Sequence, residues 1–296
     1  MDLTLYWFML PISVLVATTA MMSGIGGAAM FMPIFVIGFP LLGPEYPLES
    51  AAAAIGVALL TETFGFGSGF VAYLKRQLID FRLAAGFALI SVPAAIAGAL
   101  LSHAIRDDVL LFAYGLLMLV LTIILFRGHQ SVKHAESTVG AAQVKELQPE
   151  LSVELHDSDG RVYHYNRCKP DLYGTPVTGF GGFLAGLLSV GIGEVAMPQL
   201  VRRCKIPLPV AAATSIAIVI ATIAAASFAH ISALLSAGGV NAVPWELVMY
   251  TVPGVIIGGQ IGPRIQGRVD SRLMEKIIAV IFAFIAIAML WIVFNT

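Results

Sequence analysis

Ser23-Gly24-Ile25-Gly26-Gly27-Ala28-Ala29-Met30-Phe31-Met32-Pro33 and, in the second half of the chain, Ser189-Val190-Gly191-Ile192-Gly193-Glu194-Val195-Ala196-Met197-Pro198 decide the fold. Each stretch interrupts an apolar run with glycines, which allow positive φ and close backbone approach. Backbone that leaves the helix at membrane depth must line a cavity or be buried in protein. The two stretches therefore predict broken or re-entrant helices, and they predict them twice.

Working outward, apolar runs long enough for a bilayer extend from about Leu5 to Phe294 and are broken by one long polar interval, Arg127 to Pro176. A hydrocarbon core of about 30 Å needs roughly 20 apolar residues per helix. With 58% hydrophobic residues, 12% charged residues and mean hydropathy +0.88, the chain could not build a soluble surface. The class is an all-α polytopic membrane protein, placed as a multi-pass protein of the plasma (inner) membrane with the lipid bilayer as its solvent. Met1 to Met22 lacks a basic start and an Ala-x-Ala site, so the first helix is expected to be retained. A net charge of −1 gives no reason to expect a nucleic-acid partner. Cys168 and Cys204 form no disulfide framework and are expected as free thiols.

The two halves resemble one another. The apolar segments of the first are Leu5 to Met22, Gly27 to Leu42, Ser50 to Leu74, Phe81 to Ile105 and Val109 to Phe126. Those of the second are Val177 to Val190, Glu194 to Val201, Pro209 to Ala237, Trp245 to Pro263 and Leu273 to Phe294. Ala51 to Ala54 corresponds to Ala211 to Thr214, and Val92-Pro93-Ala94-Ala95-Ile96-Ala97-Gly98 to Val252-Pro253-Gly254-Val255-Ile256-Ile257-Gly258. Duplicated halves are a recurrent plan of transporters. The expected domains are a membrane repeat over 1–126, a cytoplasmic insert over 127–176 and a second membrane repeat over 177–296.

Loop charge orients them, because short loops rich in Lys and Arg stay cytoplasmic. Lys75-Arg76, Arg202-Arg203-Cys204-Lys205, and Arg264, Arg268 and Arg272 mark one side; Gly43 to Glu49 and Gly238 to Pro244 carry no Lys or Arg. Basic loops in one half match bare loops in the other, which predicts inverted repeats of about five membrane elements each. Both termini fall outside and the insert inside; Arg106 alone runs against the pattern. Because Val177 to Val201 is too short for two full crossings, a re-entrant element is expected there. In the insert, Glu150 to Asn166 alternates around Asp157-Ser158-Asp159-Gly160 and predicts a β-hairpin. His129, His134, His156 and His164 lie in this insert, but their spacings fit no zinc pattern, so a solvated lid or oligomer contact is the plainer reading.

A helix that starts at membrane depth offers unpaired N–H groups and a positive dipole end to an anion. Gly24, Gly26, Gly27, Gly191 and Gly193 would shape such a site, with Ser23 and Ser189 adding hydroxyl donors. The competing reading is that these glycines only permit tight packing; recurrence in both halves favours the site. Gln199 could also reach anion oxygens, though interhelical bonding accounts for it equally well. Ionisable residues within spans are functional candidates. Glu62 shares a face with Ala58, Gly65 and Gly69 and should point into the bundle. Glu194 would sit at the mouth of a half-helix, capping it when charged and yielding it to substrate when protonated, a route to proton coupling. His230 ends a small polar stripe with Ser215 and Thr222 and reads as a third proton-coupling candidate or as a satisfied interhelical histidine. Gly254, Gly258 and Gly262 form a small-residue packing ridge.

Taken together, Ser23 to Pro33, Tyr73-Leu74-Lys75-Arg76, Ile79 to Leu83, Pro93 to Gly98, Ser189 to Pro198, Ala211 to Ile216 and Val243 to Leu247 make the chain resemble the TauE/SafE family, also called the toluene sulfonate uptake permease family. The resemblance covers nearly everything except the insert. It implies a secondary transporter of small sulfur-containing anions, sulfite or organosulfonate, working by alternating access. Through its Ala-Thr-Ser element, it also adds Thr214 and Ser215 to the expected substrate-binding residues. Departures are Gly56-Val57-Ala58 in place of Thr-Ser, Glu194 in place of a common glycine, and the longer insert. No cofactor, metal site or ATPase motif is expected, and a homo-oligomer is compatible with the sequence. An anion channel or a sensor using the insert is the alternative. Ser68 and His230 nominally supply a hydrolase pair, but without a nucleophile elbow or an acid partner.

Overall fold

The computed structural model describes residues 5–23, 28–46, 48, 50–142, 152–158, 160–166, 168, 173–265 and 271–295. Among these, five helices are long and apolar enough to cross a membrane: α4 (Ala51–Lys75), α5 (Phe81–Ser102), the Asp107–Phe126 part of α6 (Asp107–Ala142), α9 (Leu208–Gly238) and α11 (Ser271–Asn295). A further helix, α10 (Trp245–Ile265), carries Glu246 and Arg264 near its two ends.

The remaining apolar helices are short and come in two sets: α1 (Met9–Ser23) with α2 (Ala28–Pro33) and α3 (Phe39–Leu42), and α7 (Gly174–Leu188) with α8 (Ile192–Pro198). In both sets the proline that ends the inner helix, Pro33 or Pro198, leads into a five-residue π-helical turn, Ile34–Gly38 or Gln199–Arg203. Such turns inside helices are frequent at functional sites. Gly24, Gly26 and Gly27 lie outside the described residues.

Contacts along the second set establish a helical hairpin. Thr178 on α7 meets Gln199, and Gly181 packs on Val195, so the two legs run antiparallel from the turn at Ser189–Gly191. The first set folds back as well. The ring of Tyr6, just ahead of α1, lies 5.5 Å from Phe39 and 5.7 Å from Tyr46, so chain separated by the whole hairpin returns to one end.

The hairpins open at opposite ends of the bundle. α4 ends at Lys75, and α10 runs parallel to it, with Thr61 bonded to Thr251 at 2.9 Å and Gln260 bonded to Ser68 at 2.7–2.8 Å. Lys75 and Arg264 thus mark one basic face, and the start of α10 marks the other. α1 lies parallel to α10 and so enters from that other face: a Cβ on Gly254 would lie 2.6 Å from the Leu10 carbonyl oxygen, and one on Gly258 2.5 Å from that of Val14. α7 lies parallel to α5 in the same manner, Gly182 and Gly186 seating the Ser91 and Ala95 carbonyls, and so enters from the basic face. Helix approach this close depends on residues without side chains, as membrane packing favours. α4 and α9 cross antiparallel at the centre, Gly56 against His230 and Gly67 against Ile220.

Caps fix the loop ends. The Ser50 hydroxyl accepts from Ala53 N–H and the Asp80 carboxylate from Leu83 N–H, each satisfying a donor that the helix start would leave unpaired. Asp107 accepts from Ala51 N–H at 3.1 Å, tying α6 to α4 on the non-basic face. Arg106, the one basic residue at odds with the loop pattern, is paired with Asp108 at 2.8 Å.

The polar interval is more structured than its composition suggests. α6 continues as one helix past the apolar Asp107–Phe126 stretch to Ala142, and α7 begins at Gly174. Between them β1 (Ser152–His156) and β2 (Val162–Asn166) pair antiparallel, Val153 opposite Tyr165, around Gly160 with φ 78°. One expectation fails. Cys168 and Cys204 are not free thiols but a disulfide that ties the end of this hairpin to the turn after the second π-helical segment. Residues so far apart in sequence carry no local sign of being partners.

Candidate functional site

A cavity of about 60 Å³ lies toward the basic face and is lined by both halves of the chain. Ala20, Met21, Phe66 and Tyr73 come from the first half; Gly193, Met197, Ala212, Ser215, Ile216 and Val219 come from the second. It has room for about two water molecules, each taking about 30 Å³ in the liquid, or for one compact oxyanion. Met21 is near the inner end of α1 and Gly193 near the start of α8, so the inner ends of the two hairpins meet here. A second recess of about 180 Å³, lined by Phe35, Tyr46, Ser50 and Asp107 among others, lies by the first hairpin on the non-basic face.

Of the substrate-binding candidates, Gly193 and Ser215 line the inner cavity. Ser189 takes a left-handed conformation (φ 62°) at the tip of the second hairpin, and its buried hydroxyl meets no hydrogen-bonding partner among the described residues. Gly191 has φ 136°, a conformation that side-chain-bearing residues rarely adopt, which explains a glycine there. Gln199 is engaged within its hairpin by the Thr178 hydroxyl at 3.3 Å, and Thr214 accepts from Asp80 N–H at 3.1 Å, bracing the α4–α5 loop against α9. Neither lines the cavity. Ser23 is the last residue of α1, and Gly24, Gly26 and Gly27 fall outside the described residues.

The proton-coupling candidates divide into two groups. Glu194 Oε2 accepts from Gly191 N–H at 3.1 Å, so the carboxylate closes the start of α8. Glu62 is buried inside α4, and Tyr114 on α6 lies within electrostatic reach of both carboxylates. The fully buried Tyr114 hydroxyl donates to the Ala29 carbonyl at 2.9 Å, which joins α6 to the first hairpin. Sequence reasoning missed Tyr114, although a lone phenol within Val109 to Phe126 was a usable signal.

His230 forms the other group. Its Nε2 lies 2.8 Å from the Gly186 carbonyl oxygen and its Nδ1 lies 3.1 Å from His103 Nε2. A carbonyl only accepts, so Nε2 carries the proton and, in the neutral ring, Nδ1 accepts from His103. His103 had no sequence signal, being an unremarked residue beyond the end of α5. Nearby in the same helix pair, Ser91 and Thr222 hydroxyls meet at 2.7 Å. Ser68, the nominal hydrolase nucleophile, instead donates to the Ile256 carbonyl at 2.9 Å and accepts from Gln260.

Comparison with known proteins follows the same outline. The family model described as "Sulfite exporter TauE/SafE" matches residues 9–289. The "Probable membrane transporter protein YunE" of Bacillus subtilis (strain 168) is 22% identical over 280 residues, 95% of each chain. A "Probable membrane transporter protein" of Xylella fastidiosa (strain Temecula1 / ATCC 700964) is 22% identical over 270 residues, 90% of this chain and 88% of that one. "Probable membrane transporter protein MamO" of Paramagnetospirillum magneticum (strain ATCC 700264 / AMB-1) is 24% identical over 248 residues, 79% of this chain and 38% of its own. No solved structure matches the chain.

Proposed function

The chain belongs to the TauE/SafE family of sulfite exporters, and from that premise we propose that it carries sulfite or a small organosulfonate across the membrane by alternating access. It is a multi-pass membrane transporter rather than an enzyme. The observation that carries the finer reading is the inner cavity, because both hairpins contribute to its wall and neither half could form it alone.

In this reading the halves are inverted repeats. α1 on α10 corresponds to α7 on α5, and one hairpin opens on each face. The anion rests against Gly193 and Ser215, whose hydroxyl turns from the Ala212 carbonyl, to which it donates at 2.8 Å, toward the anion, with Ser189 at the second tip as a further donor. The spans hold almost no Lys or Arg, so dipoles and hydroxyls do the holding and release stays easy. Rocking of the hairpins about the central α4–α9 crossing would exchange the inner cavity for the recess on the non-basic face. Glu194, Tyr114 and Glu62 form the proton-coupled group: a protonated Glu194 gives up its hold on Gly191 N–H and leaves that donor to the anion. The His103–His230 pair offers a second path for a proton. The basic loops support a cytoplasmic insert.

The test is thermal unfolding of purified protein with sulfite, methanesulfonate, sulfate and chloride. A ligand at a hundred times its Kd stabilises by about 2.7 kcal/mol, so sulfite or the sulfonate should raise the melting temperature and chloride should not. Ser215→Leu, which fills the cavity, should abolish the shift. Equal shifts from all four anions, or an unaltered shift in Ser215→Leu, would remove the proposed site.

A further inference from the structure

The Cys168–Cys204 bridge stands where a permanent disulfide is least expected. It lies among the basic loops that mark the cytoplasmic face, and disulfides in cytoplasmic compartments are mostly transient, catalytic or redox-sensing. Its position is also mechanical. The β-hairpin is anchored to the α4–α5 loop by Ser158 N–H donating to the Arg76 carbonyl at 3.2 Å and by the Tyr165 hydroxyl donating to Asp80 at 2.9 Å. Through Cys168 the same unit is bound covalently to the end of the α8 leg of the second hairpin. Alternating access requires that leg to move against α4, and the bridge ties the two together.

We propose that this bridge is a site of covalent modification by sulfite, which opens it and frees the second hairpin. The inference rests on the reading of sulfite as substrate and of the basic face as cytoplasmic. Sulfite is a sulfur nucleophile, and its lone pair attacks one Sγ as the S–S bond breaks. Cys168 is half-buried, whereas Cys204 is 9% exposed, so Cys168 Sγ is the accessible target. The new S–S bond makes Cys168 an S-sulfonate, and Cys204 leaves with the electron pair as a thiolate. Electrons balance without another reagent: the sulfite sulfur is oxidised and the Cys204 sulfur is reduced. Exposed Arg202, Arg203 and Lys205 flank the leaving group, and adjacent positive charge favours a thiolate and speeds its departure. The same cluster concentrates an anionic reagent at the bridge. Substrate accumulating on the basic face would thereby unlock its own carrier.

The test uses the full-length protein, purified without reductant, incubated with sodium sulfite, alkylated and mapped by peptide mass spectrometry, with oxidised glutathione in a separate parallel tube as a reactivity control. Expected are a sulfonate on Cys168, an alkylated thiol on Cys204, and neither in the Cys168→Ser/Cys204→Ser double variant. Proteoliposomes of the untreated protein should move sulfite severalfold more slowly than those of the double variant, and sulfite pretreatment should close the gap. The proposal is overturned if both cysteines alkylate before sulfite is added, if the bridge survives while glutathione disulfide is cleaved, if the sulfonate lands on Cys204, or if opening leaves the rate unchanged. Sulfite transport by the double variant with no adduct on the wild type sinks the modification alone. An adduct with no saturable sulfite flux in either protein sinks the transport reading instead.

Discussion

The two helical hairpins share a plan and differ in how they are closed. The first is gathered at its open end by aromatic rings, Tyr6, Phe8, Phe35, Phe39 and Tyr46, with Phe35 and Phe39 at 5.4 Å. The second is closed by polar and covalent links: Thr178 with Gln199, Glu194 with Gly191, and Cys168 with Cys204. Where the first glycine motif has Gly27, the second has Glu194. A common backbone device has thus received a titratable cap and a covalent tether on one side only. The first hairpin is closed as a packed aromatic wedge, and the second by a carboxylate cap and a disulfide, the two features on which the proposed proton coupling and sulfite reaction rest.

If the two packing faces are equivalent, Gly186→Leu and Gly258→Leu should each cost ~3 kcal/mol or more, because a side chain has no room against the facing carbonyl. Thermal unfolding in detergent measures this, and damage from only one of the two would break the equivalence. Next in size, Phe39→Ala in the aromatic closure should cost about 3 kcal/mol, as for other buried aromatic truncations. Gln199→Leu in the polar closure should cost only about 1 kcal/mol, the net worth of an ordinary hydrogen bond; equal losses would erase the contrast. Glu194→Gln should alter stability least, within about 1 kcal/mol, since an amide oxygen still caps Gly191 N–H. Its effect should fall on coupling: sulfite flux in proteoliposomes should stop responding to an imposed pH gradient, and an unchanged response would exclude Glu194 as the proton carrier.

Much of this architecture was legible as pattern. Apolar runs gave the long helices, the second glycine motif gave the break at Ser189–Gly191, and the shortness of Val177 to Val201 gave the second hairpin. The alternation about Asp157 to Gly160 gave the two strands. These signals are local, because helix length, backbone freedom and turn chemistry are written in neighbouring residues. The features that escaped join residues distant in sequence. Cys168 finds Cys204 because the insert folds back onto the basic face, and His103 finds His230 because α5 crosses α9. Tyr114 reaches Ala29 because α6 packs behind the first hairpin. The candidate site was half legible for the same reason. Gly193 and Ser215 were visible, but Met21, Phe66 and Tyr73 enter the cavity only through the meeting of the two halves.

The most direct test of the central claim is uptake of labelled sulfite into proteoliposomes by the wild type and by Ser215→Leu matched for melting temperature. A carrier with one anion site where the hairpins meet predicts saturable flux in the wild type and loss of at least about nine-tenths of it, roughly 1.4 kcal/mol of transition-state stabilisation, in the variant. Flux that rises linearly with sulfite concentration, or that passes undiminished through Ser215→Leu, would contradict it.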